Sequence, residues 1–224
     1  MDITVTVEQE ASRRVIPTRS RKWAVDTAHR LQQMGATPNA ISMASVLFAA
    51  IGCALYIASG HVGDGSRATL LILAALAIPL RLLCNMLDGM LAVEGQLQSP
   101  TGDLFNELPD RFSDALLLAG AGYAISVTEY GALIGWIAAI LAILTAYVRT
   151  LGVAQGLRNH FDGPMAKPQR MHVLIAATLL SLLEPVFDWS SGIVLFIGLA
   201  IIAIGSALTI AIRLRIIAAE LNAS

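Results

Sequence analysis

Six long and mostly apolar stretches constrain this chain more than any other feature. A helix of about 20 residues spans the hydrocarbon core of a bilayer. Because 56% of the 224 residues are hydrophobic and only 14% are charged, the chain is too apolar for a water-soluble globule. The sequence therefore predicts an all-α membrane protein with six transmembrane helices, which cover residues 39–59, 68–92, 103–126, 131–148, 171–187 and 191–213.

The segment before the first span is polar and has a basic part. Residues 17–35 follow a helical pattern, with apolar residues such as Trp23 and Leu31 opposite basic ones. This pattern predicts an amphipathic helix in the headgroup region, although a basic flank that only orients the first span explains the same residues. We expect a cytoplasmic segment at residues 1–36 and one six-helix membrane domain at 37–224.

The distribution of basic residues predicts the orientation. Six Lys and Arg residues precede the first span, and others cluster between the fourth and fifth spans and at the end of the last, whereas the opposite loops contain only Arg67. Since cytoplasmic loops are enriched in Lys and Arg, both termini should be cytoplasmic in a multi-pass protein of the inner membrane. The net charge of −1 and the lack of a basic stripe argue against a nucleic-acid partner.

Residues 85–114 contain six of the sixteen acidic residues of the chain, although spans flank them. Charged groups on spanning helices are rare and usually face a protein-lined or water-filled site. The second helix has one polar face and the third has another, and a short loop makes the two helices antiparallel neighbours. We expect these faces to converge on the cytoplasmic side; they comprise Arg81, Asn85, Asp88, Asp103, Asn106, Asp110 and Asp114.

The converging side chains offer carboxylate and amide oxygens, without Cys or a nearby His. Such hard ligands suit Mg²⁺, Mn²⁺ or Ca²⁺. Gly89, Ala92 and Gly102 leave room beside them for a large ligand to approach the backbone. A metal ion at such a surface suits a diphosphate, whose charge the metal neutralises during phosphoryl transfer.

The spacing of these residues carries a family resemblance. The order Asn85-x2-Asp88-Gly89-x2-Ala92-x9-Gly102-x3-Asn106-x3-Asp110 resembles the signature of the CDP-alcohol phosphotransferases, D-x2-D-G-x2-A-R-x8-G-x3-D-x3-D. The spacing agrees at every position. Thr37-Pro38-Asn39 before the first span and Tyr147-Val148-Arg149 at the end of the fourth also resemble family features.

The resemblance implies a class I CDP-alcohol phosphatidyltransferase, commonly a homodimer. Such an enzyme uses Mg²⁺ or Mn²⁺ to transfer a phosphatidyl-type group from CDP-diacylglycerol, or a related CDP-alcohol, to an alcohol or alcohol phosphate, and it releases CMP. It also implies that Asp110 is the general base on the acceptor hydroxyl. The implied metal-binding positions are Asn85, Asp88, Asn106 and Asp110, and the implied cytidine diphosphate pocket comprises Asn39, Gly89, Ala92 and Gly102.

Three positions depart from the signature: Asn85 and Asn106 stand where the family has aspartate, and Val93 stands where it has arginine. Each amide removes a unit charge, which lowers metal affinity and disfavours a second ion. The missing arginine removes a fixed cation beside the diphosphate. Two hypotheses follow: a specialised working site, or a catalytically inactive relative that binds nucleotide or lipid as a regulator or scaffold. A cation carrier is less favoured, because nothing resembles the broken helices of transporters.

Several other residues have two interpretations. An arginine halfway along a span needs a partner, and we expect Arg81 to pair with Asp88 or to bind substrate. Asp114 is expected to pair with Arg111 or simply to continue the polar stripe of the third helix, and contact with a metal is the less favoured alternative. The basic residues near the fourth and fifth spans either set topology or bind an acidic acceptor such as an alcohol phosphate; they are Arg149, Arg158, Lys167 and Arg170. Small residues predict a helix-packing face, either within the chain or between the two subunits of a dimer; they are Gly120, Ala124, Gly131 and Gly135.

Overall fold

The computed structural model describes residues 22–93, 97 and 101–223. Residues 1–21, which include the first part of the predicted amphipathic helix at 17–35, lie outside them, as does most of the loop between the second and third spans. The described residues form seven α-helices and a 3₁₀ helix, without strands. In chain order they are α1 Lys22–Gln33, α2 Pro38–Ser59, α3 Asp64–Val93, α4 Gly102–Tyr123, α5 Gly131–Ala154, α6 Lys167–Leu180, the 3₁₀ helix Ser181–Phe187, and α7 Ile193–Ala223.

Five of these segments are long and apolar enough to cross a membrane: α2, α3, α5, α6 together with the 3₁₀ helix, and α7. By length and composition, they match five of the six predicted spans. The remaining helix, α4, has 22 residues, but its first half carries several charged side chains, including Glu107, Asp110 and Arg111. Its crossing of the membrane stays a prediction, as do the cytoplasmic positions of the termini.

The start of α2 follows from its sequence. Thr37 has an extended backbone, and its hydroxyl accepts a hydrogen bond from the Ala40 N–H at 3.2 Å. Pro38 occupies the first turn, where its missing N–H costs no hydrogen bond. Thr37 and Pro38 therefore fix where the first span begins.

The helices pack around a core made of small and branched apolar residues. α2 lies between α3 and α4, α5 packs on α4 and α7, and α6 packs on α7 and α3. Tyr56 on α2 and Thr178 on α6 are fully buried, and their hydroxyls lie 2.5 Å apart. This hydrogen bond satisfies two polar groups in the apolar interior and links helices that are distant in sequence.

Within the predicted N-terminal helix at 17–35, the described residues form α1. Ala24 and Ala28 are buried against Ile41 and Met86 in a second, smaller apolar cluster, while Trp23 is 46% exposed. One face of α1 therefore packs on the membrane domain. Its position in the headgroup region stays a prediction.

The small residues of α4 and α5 form a contact within the chain. A Cβ atom added to Gly135 would lie 2.9 Å from the Gly122 Cα, and one added to Gly120 would lie 2.8 Å from the Cys53 Cα. Only glycine permits such close helix approach. The predicted small-residue packing face is therefore buried inside one chain and is not a dimer seam.

Candidate active site

Three carboxylates, those of Glu107, Asp110 and Asp114, lie on one face of α4, and each pairs with side chains of neighbouring helices. Glu107 contacts α5, whereas Asp110 and Asp114 both contact α3 and α6. Because α3 and α4 are antiparallel, Arg81 meets Asp114 and Asn85 meets Asp110. The predicted convergence of the two polar faces is thus present, and it also includes α6.

Asp114 is the deepest of these carboxylates. Its two oxygens accept hydrogen bonds from Arg81 Nη2 at 2.7 Å and from Arg170 Nη2 at 2.9 Å. All three residues are at most 1% exposed. A buried ion network of this kind is costly to desolvate but strongly linked once formed. Arg81 and Arg170 therefore hold α3, α4 and α6 together at this depth.

The ion pairs differ from two expectations. Arg81 pairs with Asp114, not Asp88, because the antiparallel arrangement brings Arg81 level with Asp114 on the neighbouring helix. Arg111 pairs with Glu107, one helical turn back along α4, and not with Asp114. The Arg81 pairing could be missed from sequence, since spacing along one helix gives no register against the next, whereas the i,i+4 spacing of Glu107 and Arg111 was a signal for their pair.

Asp110 is engaged at both carboxylate oxygens. Lys167 Nζ lies 2.5 Å from Oδ2, and the Asn85 side-chain amide donates a hydrogen bond to Oδ1. Arg81 Nη2 lies 3.5 Å from the same Oδ1. The Asp110 side chain is 14% exposed, so it lies near the protein surface while paired with a cation.

Asp88 has a different environment. Ser42 Oγ on α2 donates a hydrogen bond to Asp88 Oδ2 at 2.6 Å. Asp88 Oδ1 is buried without a hydrogen-bond partner, and the residue is 4% exposed. The charges of Asp110 and Lys167 both act on Asp88, which places it in the same cluster. The contact of Ser42 with Asp88 was not predicted. The sequence feature that could have indicated it is a hydroxyl side chain one helical turn after Asn39, a position already assigned to the site.

Glu107 binds two arginines at the outer edge of the cluster. It pairs with Arg111 and with Arg149, whose Nη2 lies 2.5 Å away. The Arg149 guanidinium also donates to Asn159 Oδ1 at 2.8 Å and lies over the Phe161 ring. Arg149 is therefore held in a fixed orientation beside the carboxylates of α4.

The remaining sequence candidates lie at varied depths. The Arg158 side chain is 79% exposed, and its ion pair is with Glu220 on α7, at 3.6 Å, rather than with a carboxylate of α4. Asn106 is exposed, one turn before Asp110. The nucleotide-binding assignments stay predictions; of their positions, Gly89 is buried and the others, Asn39, Ala92 and Gly102, are half-buried.

The donor set allows a test of fit for a divalent metal. In the part of the chain that the structure describes, no three His, Cys, Asp or Glu side chains group as ligands for an ion. The buried Asp88 Oδ1 nevertheless has no partner, and Asn85 lies one turn away with its amide oxygen outside the bond to Asp110. Carboxylate and amide oxygens are ligands that Mg²⁺ and Mn²⁺ accept. The residues around Asp88 thus fit a hard cation.

This arrangement, an oxygen-rich cluster on two antiparallel helices with the signature spacing, agrees with the family comparison. The chain belongs to the CDP-alcohol phosphatidyltransferase family, whose model matches residues 35–215. An uncharacterised protein of Aquifex aeolicus strain VF5 is 32% identical over 142 residues. That alignment covers 62% of this chain and 66% of the relative, slightly less than two thirds of its length.

Similar solved structures support the fold. The phosphatidylinositol phosphate synthase PgsA1 of Mycobacterium tuberculosis with CDP-DAG bound has a TM-score of 0.72 and 19% identity, covering 88% of this chain and 94% of that one. PgsA1 in complex with manganese and citrate has a TM-score of 0.71 and 20% identity, covering 87% and 88%. At these identities the likeness establishes a shared helical architecture.

Proposed function

We propose that this protein is a membrane transferase that moves a phosphatidyl-type group from CDP-diacylglycerol, or a related CDP-alcohol, to an alcohol or alcohol phosphate and releases CMP. The observation that carries the proposal is the convergence of the signature residues, with Asp88 and Asp110 in one electrostatic cluster. Family membership supports it, and the CDP-DAG complex of the structurally similar PgsA1 supports a CDP-linked lipid donor.

The reaction needs a deprotonated acceptor and a stabilised diphosphate. The acceptor hydroxyl oxygen would bond to the lipid-linked phosphorus, while the bond from that phosphorus to the CMP oxygen breaks. The hydroxyl proton would pass to Asp110, the one partly exposed carboxylate among the three aspartates of the cluster. For this step Asp110 must exchange a contact with Lys167 or Asn85 for one with the acceptor.

A divalent ion, Mg²⁺ or Mn²⁺, would be held by Asp88 with Asn85, and it would supply positive charge against the diphosphate. The other signature positions, Asn106 and Asp110, would bind metal less strongly, since Asn106 is exposed and Asp110 is paired with Lys167. Ser42 would orient Asp88 through its hydrogen bond.

The basic residues at the edge of the cluster suggest where the acceptor binds. Arg149 is held beside α4 by Glu107 and Asn159, and Lys167 lies on Asp110. An acidic acceptor could compete for these cations, because guanidinium and ammonium groups bind phosphate. We further propose that the cluster faces the cytoplasm of the inner membrane and that the protein is a homodimer, from charge distribution and family resemblance respectively.

The direct test is CMP release. Purified protein in detergent would be incubated with CDP-diacylglycerol, Mg²⁺ and a panel of alcohols and alcohol phosphates. The expected result is CMP production that requires both metal and one class of acceptor. No CMP release with any acceptor, while a related phosphatidyltransferase works in the same detergent, would contradict the proposal.

One observation favours a second candidate, a catalytically inactive relative that binds nucleotide or lipid. Both oxygens of Asp110, the implied general base, are engaged by other side chains. Binding of CDP-diacylglycerol without turnover, measured by a thermal shift together with the CMP assay, would favour this candidate. Turnover in the wild-type chain would rule it out.

A further inference from the structure

The two signature aspartates of the cluster are not equivalent. Asp110 has an ammonium on one oxygen and an amide on the other, whereas Asp88 has one hydroxyl donor and one buried oxygen without a partner. A buried carboxylate oxygen without a partner is costly, and such atoms usually point to a ligand, ion or water. The carboxylate oxygen that is open to a cation is therefore on Asp88 and not on Asp110.

We propose that the site binds a single divalent cation at Asp88, and that the Lys167 ammonium is a second, permanent positive charge held on Asp110. The Asn85 amide nitrogen donates a hydrogen bond to Asp110, so the Asn85 amide oxygen is the second protein ligand for the ion in this proposal. This inference rests on the proposed function for its catalytic meaning, but metal counting tests it independently of turnover.

The balance of charges supports a single ion. Asp114 is neutralised by Arg81 and Arg170, Glu107 by Arg111 and Arg149, and Asp110 by Lys167, whereas none of the ion pairs among the described residues involves Asp88. Among the carboxylates of α3 and α4 whose side chains the structure describes, Asp88 is thus the one without a basic partner. A second divalent ion beside Asp110 would face the Lys167 charge, and Asn85 and Asn106 add no negative charge to offset that repulsion.

The position of Lys167 suits a fixed charge. It is the first residue of α6, and Pro168 follows it, which restricts the backbone at this turn. Three residues later, Arg170 anchors the same helix on buried Asp114. The Lys167 ammonium belongs to the chain, so it cannot dissociate as a second metal ion could. With one cation bound at Asp88, the diphosphate would therefore meet two positive centres, the cation and Lys167.

The test is to count bound ions by titrating purified protein with Mn²⁺ and following the EPR signal of the free ion. We expect about one Mn²⁺ per wild-type chain, and about two after Lys167→Met, because Asp110 then has an open oxygen. Lys167→Arg, which retains the charge, should stay at one. The chain has only two lysines, so Lys22→Met, at the exposed start of α1, is a chemically matched control and should also stay at one.

Two ions bound to the wild-type chain would overturn the inference, and this result needs no variant. One ion bound to folded Lys167→Met, checked by size exclusion and thermal unfolding, would also overturn it. Failure of the proposed function is distinguishable: a chain that releases no CMP but changes from one ion to two on Lys167→Met refutes the transferase while supporting the metal count. An active wild-type chain with two ions refutes only the metal count.

Discussion

Arg81 Nη2 on α3 lies 2.7 Å from Asp114 Oδ1 on α4, and neither side chain is more than 1% exposed. Arg170 on α6 completes the contact from the other side at 2.9 Å. This three-residue network lies beneath the carboxylates that face the proposed substrates. It fixes the register of the helices that position Asp88 and Asp110, so its role is structural support of the site.

Replacing Asp114 with Asn should therefore destabilise the protein strongly. The change leaves the buried Arg170 guanidinium without a counter-charge and leaves Arg81 with only its longer contact to Asp110, at 3.5 Å, which costs about 3–5 kcal/mol. The expected decrease in the thermal unfolding midpoint in detergent is on the order of 10 °C. Arg158→Gln breaks an exposed pair and should cost less than about 1 kcal/mol. A midpoint for Asp114→Asn equal to that of Arg158→Gln would contradict the buried network.

Asp88→Asn should reduce CMP release by about 100-fold or more, because it removes the one charged ligand proposed for the metal. Ser42→Ala removes the hydrogen bond that orients Asp88, and a loss of about 10-fold is expected. Both rates would be measured at saturating CDP-diacylglycerol and compared with Asp26→Asn, an exposed aspartate on α1. Equal rates for Asp88→Asn and Asp26→Asn would exclude Asp88 from the site.

Arg149→Gln tests the acceptor side. If Arg149 binds an acidic acceptor, its loss should raise KM for an alcohol phosphate by about 10-fold while kcat for a neutral alcohol changes little. Arg158→Gln serves as the comparison, since the Arg158 side chain is 79% exposed and its ion pair is with Glu220 rather than with a carboxylate of α4. An equal fall in kcat with both acceptor types would instead assign Arg149 to the support of α4 through Glu107.

Gly135→Ala tests the close approach of α4 and α5. The added methyl group would lie 2.9 Å from both the Gly122 Cα and the Leu118 carbonyl oxygen, so backbone must move. Overpacking of this kind costs about 1–3 kcal/mol, which exceeds the gain of up to ~1 kcal/mol in helix propensity. Gly65→Ala, in the first turn of α3 and with no atom within 4 Å of the new Cβ, makes the same chemical change without a clash and should leave the unfolding midpoint unchanged or slightly higher. A stabilised Gly135→Ala protein would refute this packing.

The sequence predicted the parts of the site that depend on one helix or on one short loop. The polar faces of α3 and α4 follow from helical periodicity, and their antiparallel pairing follows from the short connection between them. The contributions of Ser42 and Lys167 to specific aspartates could not be predicted in the same way. They depend on how α2 and α6 pack against α3 and α4, and neither spacing nor loop length determines that register.

Restoring aspartate at the two asparagine positions separates a specialised site from a decayed one. Asn85→Asp replaces an amide donor on Asp110 with a second carboxylate, and the repulsion between like charges should reduce CMP release by about 10-fold. Asn106→Asp is the same chemical change at an exposed position and should alter the rate by less than about 2-fold. The measurement is the initial rate of CMP release at several Mg²⁺ concentrations. If the site is decayed, the wild type is inactive and should gain activity when both aspartates are restored. If the site works with Asn85, the restored protein should lose activity.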